Sequence, residues 1–418
     1  MTPKERVENA VNHQGGQVPV DFGGSAVTGI HCRLVGQLRE YYGLGKRPVK
    51  VVEPAQMLGY IDDDLKDAIG SDTAPLWIPT TMFGFDNINW KEWQTPWGQD
   101  VLVPGMFNTT MDDNGRLLIY PEGDLSIPPS GRMPKGGDFF DSIIRQDRID
   151  DDNLNPADNL EEFKSVTAET LDFLKSEAEA LRGSDRYVLG NFGGTGLGDI
   201  ALVPGSHMKH PKGIRDITEW YKSMFKRQDY LHAVFSRQVE IALANLAKLY
   251  EVVGDLPGVV YICGTDFGTQ NSTFCSADTY KELYDPYYKQ INGWIHEHTP
   301  WKTFKHCCGA VEGFMNLFIE SGFDVINPVQ CSAKGMDPKI LKERYGDRLV
   351  FWGGGVDTQW TLPFGTPEEV RAEVLSRCEI FSPNGGFVFN TIHNVLPNTP
   401  VKNFVAMVDA VKEFNGNR

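Results

Sequence analysis

A (β/α)8 barrel is the fold class that the sequence predicts, with a small antiparallel insertion near its N-terminus, and three observations predict it. Short apolar stretches alternate with longer amphipathic ones along most of the chain. The late apolar stretches are bounded by Gly, Pro or Asp, as buried parallel strands are. Ionisable and amide side chains collect just after these stretches, where the carboxyl ends of barrel strands carry chemistry. A doubly wound sheet is the other arrangement with this alternation.

Taken in order, Thr2-Pro3-Lys4-Glu5 has the form of a capping box with Pro at the first helical position, and Val7, Ala10 and Val11 give its apolar stripe. Val18 to Phe22 reads as the first strand, residues 30–45 and 54–69 as helices, and Thr73 to Ile78 as the second strand. Residues 80–141 change character. Trp90, Trp93 and Trp97 crowd together, and Asp112-Asp113-Asn114-Gly115 is a hairpin turn between 101–103 and 117–120. This reads as a β-rich insertion capping a single barrel domain that spans 1–418, its aromatics packing beneath the cap. Helices at 158–182, 212–253, 276–298, 309–321, 337–345, 366–380 and 400–414 then alternate with strands at 188–192, 259–263, 303–307, 325–329, 349–352 and 387–391.

Composition narrows the function class. Hydrophobic content of 41% and charged content of 23% are those of an ordinary globular protein. A net charge of −16 argues against nucleic acid or an anionic membrane as partner. No apolar run approaches membrane-spanning length, and Met1 leads directly into the first helix with no leader pattern. Seven thinly spread cysteines fit a reducing cytoplasm, where Cys fills core, binds metal or attacks electrophiles.

The most informative stretch is His306-Cys307-Cys308-Gly309, at the exit of the fifth strand. Alternation puts His306 and Cys308 on one face and Cys307 on the other, which supplies half of a zinc site. The next strand end offers Cys331 and the eighth offers His393, so the candidate metal ligands are His306, Cys308, Cys331 and His393. Cys331 as core filler and His393 as a general acid or anion-binding group remain the alternatives. Asp266 and His393 are the candidate acid–base pair, and Asn191, Gln270, Asp357 and Gln359 the candidate substrate contacts. Cys32, Cys263, Cys275 and Cys378 read as structural. The glycine-rich run 193–199 follows a strand but has neither the GxGxxG spacing nor the Lys-Ser/Thr of a phosphate loop, and reads as a flexible loop over the barrel mouth.

Several segments together resemble the uroporphyrinogen decarboxylase superfamily, which also contains zinc-dependent, corrinoid-linked methyltransferases. The carriers are Asp266-Phe-Gly-Thr-Gln270, His306-Cys-Cys-Gly309, Asn327-Pro-Val-Gln330, Gly335-Met-Asp-Pro338, Phe351 to Asp357 and His393 to Pro400. The resemblance covers most of the chain and is clearest from 258 onward. The decarboxylase branch carries an arginine-rich N-terminal signature that grips substrate carboxylates. The corresponding Val18–Gly29 stretch here has no arginine before Arg33. The methyltransferase branch carries His-x-Cys at the fifth strand and a cysteine near the eighth. This chain keeps His306 and Cys308 but has His393 at the last position, as the decarboxylases do.

The resemblance therefore implies a zinc-dependent methyltransferase. It would move a methyl group between a small ether, amine or thioether and a corrinoid or thiol acceptor, the corrinoid riding on a separate protein. A homodimer is common among similar proteins. The alternatives are a cofactor-free decarboxylase using Asp266 and His393, and a non-catalytic corrinoid or tetrapyrrole binder.

Overall fold

Seven parallel strands form one curled sheet in the computed structural model, which describes residues 1–161, 163–192 and 196–416. In spatial and chain order they are Thr73–Trp77, Tyr187–Asn191, Pro257–Cys263, Lys302–His306, Val325–Asn327, Val350–Trp352 and Phe387–Val388. Each pairs with the next in parallel register, for example Asn191 with Trp77, His306 with Asn327 and Trp352 with Val388. Helices such as Gln228–Val253, Asp285–His298 and Pro367–Phe381 connect the strands, which is the TIM-barrel-like pattern expected.

The first strand position is filled by an extended segment rather than the strand expected over 18–22. Val20 makes one parallel bridge to Phe389, with Phe389 N donating to Pro19 O and Asp21 N to Phe389 O. On its other side Asp72 N donates to Val20 O at 2.7 Å, but the next rungs are made by side chains. Val20 N donates to Asp72 Oδ2 and Phe22 N to Ser71 Oγ. Side chains take the place of backbone carbonyls, so the segment closes the ring without forming a ladder.

Alternation divides the core in two. Tyr187, Leu189, Val259, Phe304, Val325, Val350, Trp352 and Val388 fill the barrel interior, and Val7, Ala10 and Val11 of the first helix pack with them. The larger cluster packs between sheet and helices. Phe304 and His306 therefore share the interior face, while Lys305, between them in sequence, is enclosed by Phe267, Tyr288, Phe318 and Phe323, with ring centroids 4.9–5.4 Å from its ammonium.

Several expected boundaries differ. The helix expected over 54–69 is present only as Asp63–Ile69; ahead of it Val49–Glu53 pairs with Leu58–Gly59 and with Asp100–Val103. Inside the expected span Met57 takes φ +54° and Leu58–Gly59 pairs with the β-branched strand ahead of it, which a helix does not allow. The region expected to be helical over 158–182 begins as a 3₁₀ turn, Pro156–Asn159, and the helix proper is Ala168–Leu181, capped by Thr167. The 212–253 region breaks at Arg227, the 276–298 region breaks at Tyr284 with Pro286 opening the second helix, and 309–321 is a 3₁₀ turn before Met315–Glu320.

Within 80–141 the strands are antiparallel, but their pairing is not the one expected. Asp100–Val103 pairs with Lys91–Gln94, and the Asp112–Gly115 turn joins Thr109–Met111 to Leu117–Ile119. Asp112 Oδ1 accepts from Asn114 N and Arg116 N, which pins that turn. The second small sheet is tied to residues 205–209: Lys209 pairs with Glu122 and Asp124, and Ser142 meets Ser206. Of the glycine-rich run expected to form a loop, Gly193, Gly194 and Thr195 lie outside the described residues. Beyond it, Leu197 O accepts from Thr265 Oγ1 and Asp199 Oδ2 from Gly264 N, fixing that segment to the next strand end. Among the described residues no helix is long and apolar enough to cross a membrane.

Candidate metal centre

The strand Lys302–His306 delivers His306 to the carboxyl end of the barrel, and the next residues turn sharply. Gly309 makes that turn possible. Its φ is +93°, and a Cβ there would lie 2.5 Å from the backbone of Gly268, so the 306–309 and 266–269 segments pack backbone to backbone. The strand has ended by Cys308, yet its Sγ comes to 3.3 Å from His306 Nε2. Cys307 faces away, fully buried, and its sulfur accepts from Phe267 N.

His393 arrives from the far side of the ring, after Phe387–Val388, in a left-handed conformation with φ +71°. The His306 and His393 rings are 5.0 Å apart and nearly perpendicular. One ligand-type atom from each of His306, Cys308 and His393 lies within 4.8 Å of the other two. A thiol and two imidazoles suit a borderline-soft divalent ion such as zinc, and three protein donors leave a coordination position open. The donor set therefore fits the metal.

Burial sets the electrostatics. The His306 imidazole is pushed down to about 4 by burial, against the Asn327 hydrogen bond that favours its charged form. His393 is pushed down to about 3 by burial and then by His306, opposed by Asp266. Both rings are neutral near pH 7, the form a metal ligand needs. The Cys308 thiol is raised by burial first and then by Asp266. Asp266 is raised by burial, opposed by the Cys308 amide, whose N–H donates to its Oδ1 at 2.6 Å.

The two imidazoles are presented differently. His306 Nδ1 contacts Asn327 Oδ1 at 2.7 Å, whereas His393 Nδ1 accepts from Asn394 N at 2.8 Å. A neutral ring that accepts at Nδ1 carries its proton on Nε2. His393 therefore offers an N–H in this arrangement, and ligating a metal through Nε2 requires that proton to move.

The remaining candidates are placed elsewhere. Cys331 is not in the cluster. Its thiol, pushed up to about 12 by burial, faces a cavity shared with Met336, Glu373 and Arg377. Asn191 donates to Gly24 O and Leu189 O, so its amide ties the loop after the first segment. Asp357 Oδ1 accepts from Gln359 N and Trp360 N, capping its own turn. Gln270 and Gln359 are exposed. Sequence reasoning gave no role to Asn327, Asp21 or Lys305. The available signal was a polar side chain inside or ending an apolar strand: Asp21 between Val20 and Phe22, Lys305 after Phe304, and Asn327 after Val325-Ile326.

Comparison with known proteins bears on the fold and the family. Uroporphyrinogen decarboxylase of Pseudoalteromonas translucida (strain TAC 125) is 32% identical over 108 residues, 24% of this chain and 30% of that protein. The enzyme of Chlorobium luteolum is 25% identical over 197 residues, 45% of this chain and 53% of that protein. The chain thus spans about half or less of the length of these curated relatives. A methyltransferase from Methanosarcina mazei shares the fold, with a TM-score of 0.54 and 15% identity, covering 99% of both chains. The model of the family "Uroporphyrinogen decarboxylase (URO-D)" matches residues 203–414, half of the chain, which takes in His306, Cys308 and His393, and the chain belongs to that family.

Proposed function

We propose that this chain is a zinc-dependent methyltransferase. It would move a methyl group between a small ether, amine or thioether and a corrinoid or thiol acceptor, the corrinoid being carried by a separate protein. The observation that carries the reading is the convergence of His306 Nε2 and Cys308 Sγ at 3.3 Å, with the His393 ring against them. His306 and Cys308 would hold the ion, with His393 as third ligand or as proton donor beside it. When bound, the ion supplies Lewis acidity toward the methylated heteroatom or stabilises an acceptor thiolate.

The chain's own residues do the rest. Asn327 accepts from His306, and Asp266, which accepts from the Cys308 amide and neighbours its side chain, would receive the Cys308 thiol proton. The 80–141 insertion would act as a cap on a single barrel domain. The Val18–Gly29 stretch holds no cationic side chain to clamp a polycarboxylate. The next arginine, Arg33, is paired with Asp138 and stacked on Trp97.

One observation favours a second reading. The Nε2–H of His393 near a half-buried, upshifted Asp266 is an arrangement for acid–base chemistry, as a cofactor-free decarboxylase would use. The test is methyl transfer from a panel of methylated ethers, amines and thioethers to reduced cobalamin, with wild type beside Cys308→Ala. Transfer by wild type and its loss in the variant support the methyltransferase. No transfer from any donor, together with carbon dioxide release from a carboxylated substrate, supports the decarboxylase.

A further inference from the structure

We propose that Asn327 is the positioning residue of the metal centre: it locks His306 in the one tautomer that leaves Nε2 free to bind the ion. The inference rests on the metal reading above and deepens it. Asn327 is fully buried at the end of the strand Val325–Asn327 and pairs in register with His306 on the neighbouring strand. Its amide Nδ2 donates to Trp352 O at 2.8 Å. A carbonyl can only accept, so this contact fixes which end of the amide is nitrogen. Asn327 Oδ1 must then face His306, and it does, 2.7 Å from Nδ1. An amide oxygen can only accept in turn, so Nδ1 must carry the proton, and the neutral ring has its lone pair on Nε2. That is the nitrogen 3.3 Å from Cys308 Sγ.

Three contacts thus agree on one protonation pattern, with no freedom left in the amide or the ring. His393 is the contrast: its Nδ1 accepts, so its proton sits on the other nitrogen. The two imidazoles are preset in opposite tautomers, and only His306 is ready to bind without moving a proton.

The test separates positioning from structural support. Asn327→Ala removes both the acceptor for His306 and the donor for Trp352 O. Asn327→Asp keeps an acceptor for His306 while replacing the amide donor. Zinc affinity is measured by competition with a chromophoric chelator, and thermal melting is measured on chelator-stripped protein. We expect both variants to melt lower than wild type when stripped. We expect Asn327→Ala to bind zinc about 10–100-fold more weakly, and Asn327→Asp to bind within about threefold of wild type or tighter, as a carboxylate raises imidazole basicity. Histidine ¹⁵N spectra of stripped protein give a readout independent of metal: His306 should show a single Nδ1–H tautomer in wild type and a mixture in Asn327→Ala. Wild-type affinity in Asn327→Ala, or an unchanged tautomer there, overturns the proposal. If wild type binds no zinc at all, the metal reading fails, and the ¹⁵N spectra alone decide the role of Asn327.

Discussion

Asp21→Ala tests how the ring closes and what stands behind the site. Asp21 lies in the extended segment that fills the first strand position and is fully buried. Its carboxylate accepts from Thr73 Oγ1, Trp352 Nε1 and Gly24 N, so it links the first position to the second and to the seventh. Burial pushes this carboxyl up, and those three donors oppose the shift. Truncation strands three buried donors, each at about 1–3 kcal/mol. Relief of the carboxyl's own desolvation offsets part of this, which leaves roughly 3–6 kcal/mol. Against a typical stability of about 5–15 kcal/mol, such a variant is near the edge of folding. Asp21→Asn keeps one acceptor oxygen and should lose roughly half as much. Urea unfolding at pH 7, followed by far-ultraviolet circular dichroism, ranks the three proteins. A loss below about 1 kcal/mol in Asp21→Ala would refute the reasoning, because it would mean the three donors find other partners on relaxation.

Acidification should destabilise the chelator-stripped protein through His306 and His393. His306 and His393 titrate at about 4 and about 3 when folded, against about 6.5 when unfolded, so the unfolded chain binds more protons in between and stability falls as pH drops from 6.5. The loss is on the order of 2–3 kcal/mol per ring at pH 4.5, and a His306→Gln, His393→Gln double variant should show a flatter melting profile between pH 7 and 4.5. An equally steep profile in the variant contradicts the assignment. Cys331→Ser should retain bound metal, because its thiol faces the Glu373–Arg377 cavity, and metal loss on elemental analysis would place it in the centre after all. Lys305→Ala should lower the melting temperature by more than Lys305→Met, which refills the aromatic enclosure; equal melting of the two would show that the ammonium's contacts to Thr265 O and Cys263 Sγ dominate instead.

The barrel was legible because the short apolar strands and their Gly, Pro and Asp borders need no tertiary information. The first segment reads as a strand, and only the intrusion of Asp72 and Ser71 side chains into its ladder makes it otherwise. His306 and Cys308 were legible as an i, i+2 pair, although the strand ends at His306 and the tight Gly309 turn brings Cys308 back. Cys331 was misleading for a local reason. Its strand ends at Asn327, so four further residues carry the thiol outward. Asp357 and Asn191 sit where site residues belong, but their polar atoms are used to shape loops. Asn327 was overlooked because its role exists only through a carbonyl on the next strand, a relation that spacing in sequence does not reveal.

The most direct measurement is the metal content of the purified protein by elemental analysis, wild type beside Cys308→Ala, both prepared with zinc in the medium. About one zinc per chain in wild type, lost in the variant, is the predicted result. No zinc in either would contradict the account: the sulfur and imidazoles would then be packing and acid–base groups, and Asp266 with His393 would be the residues to test next.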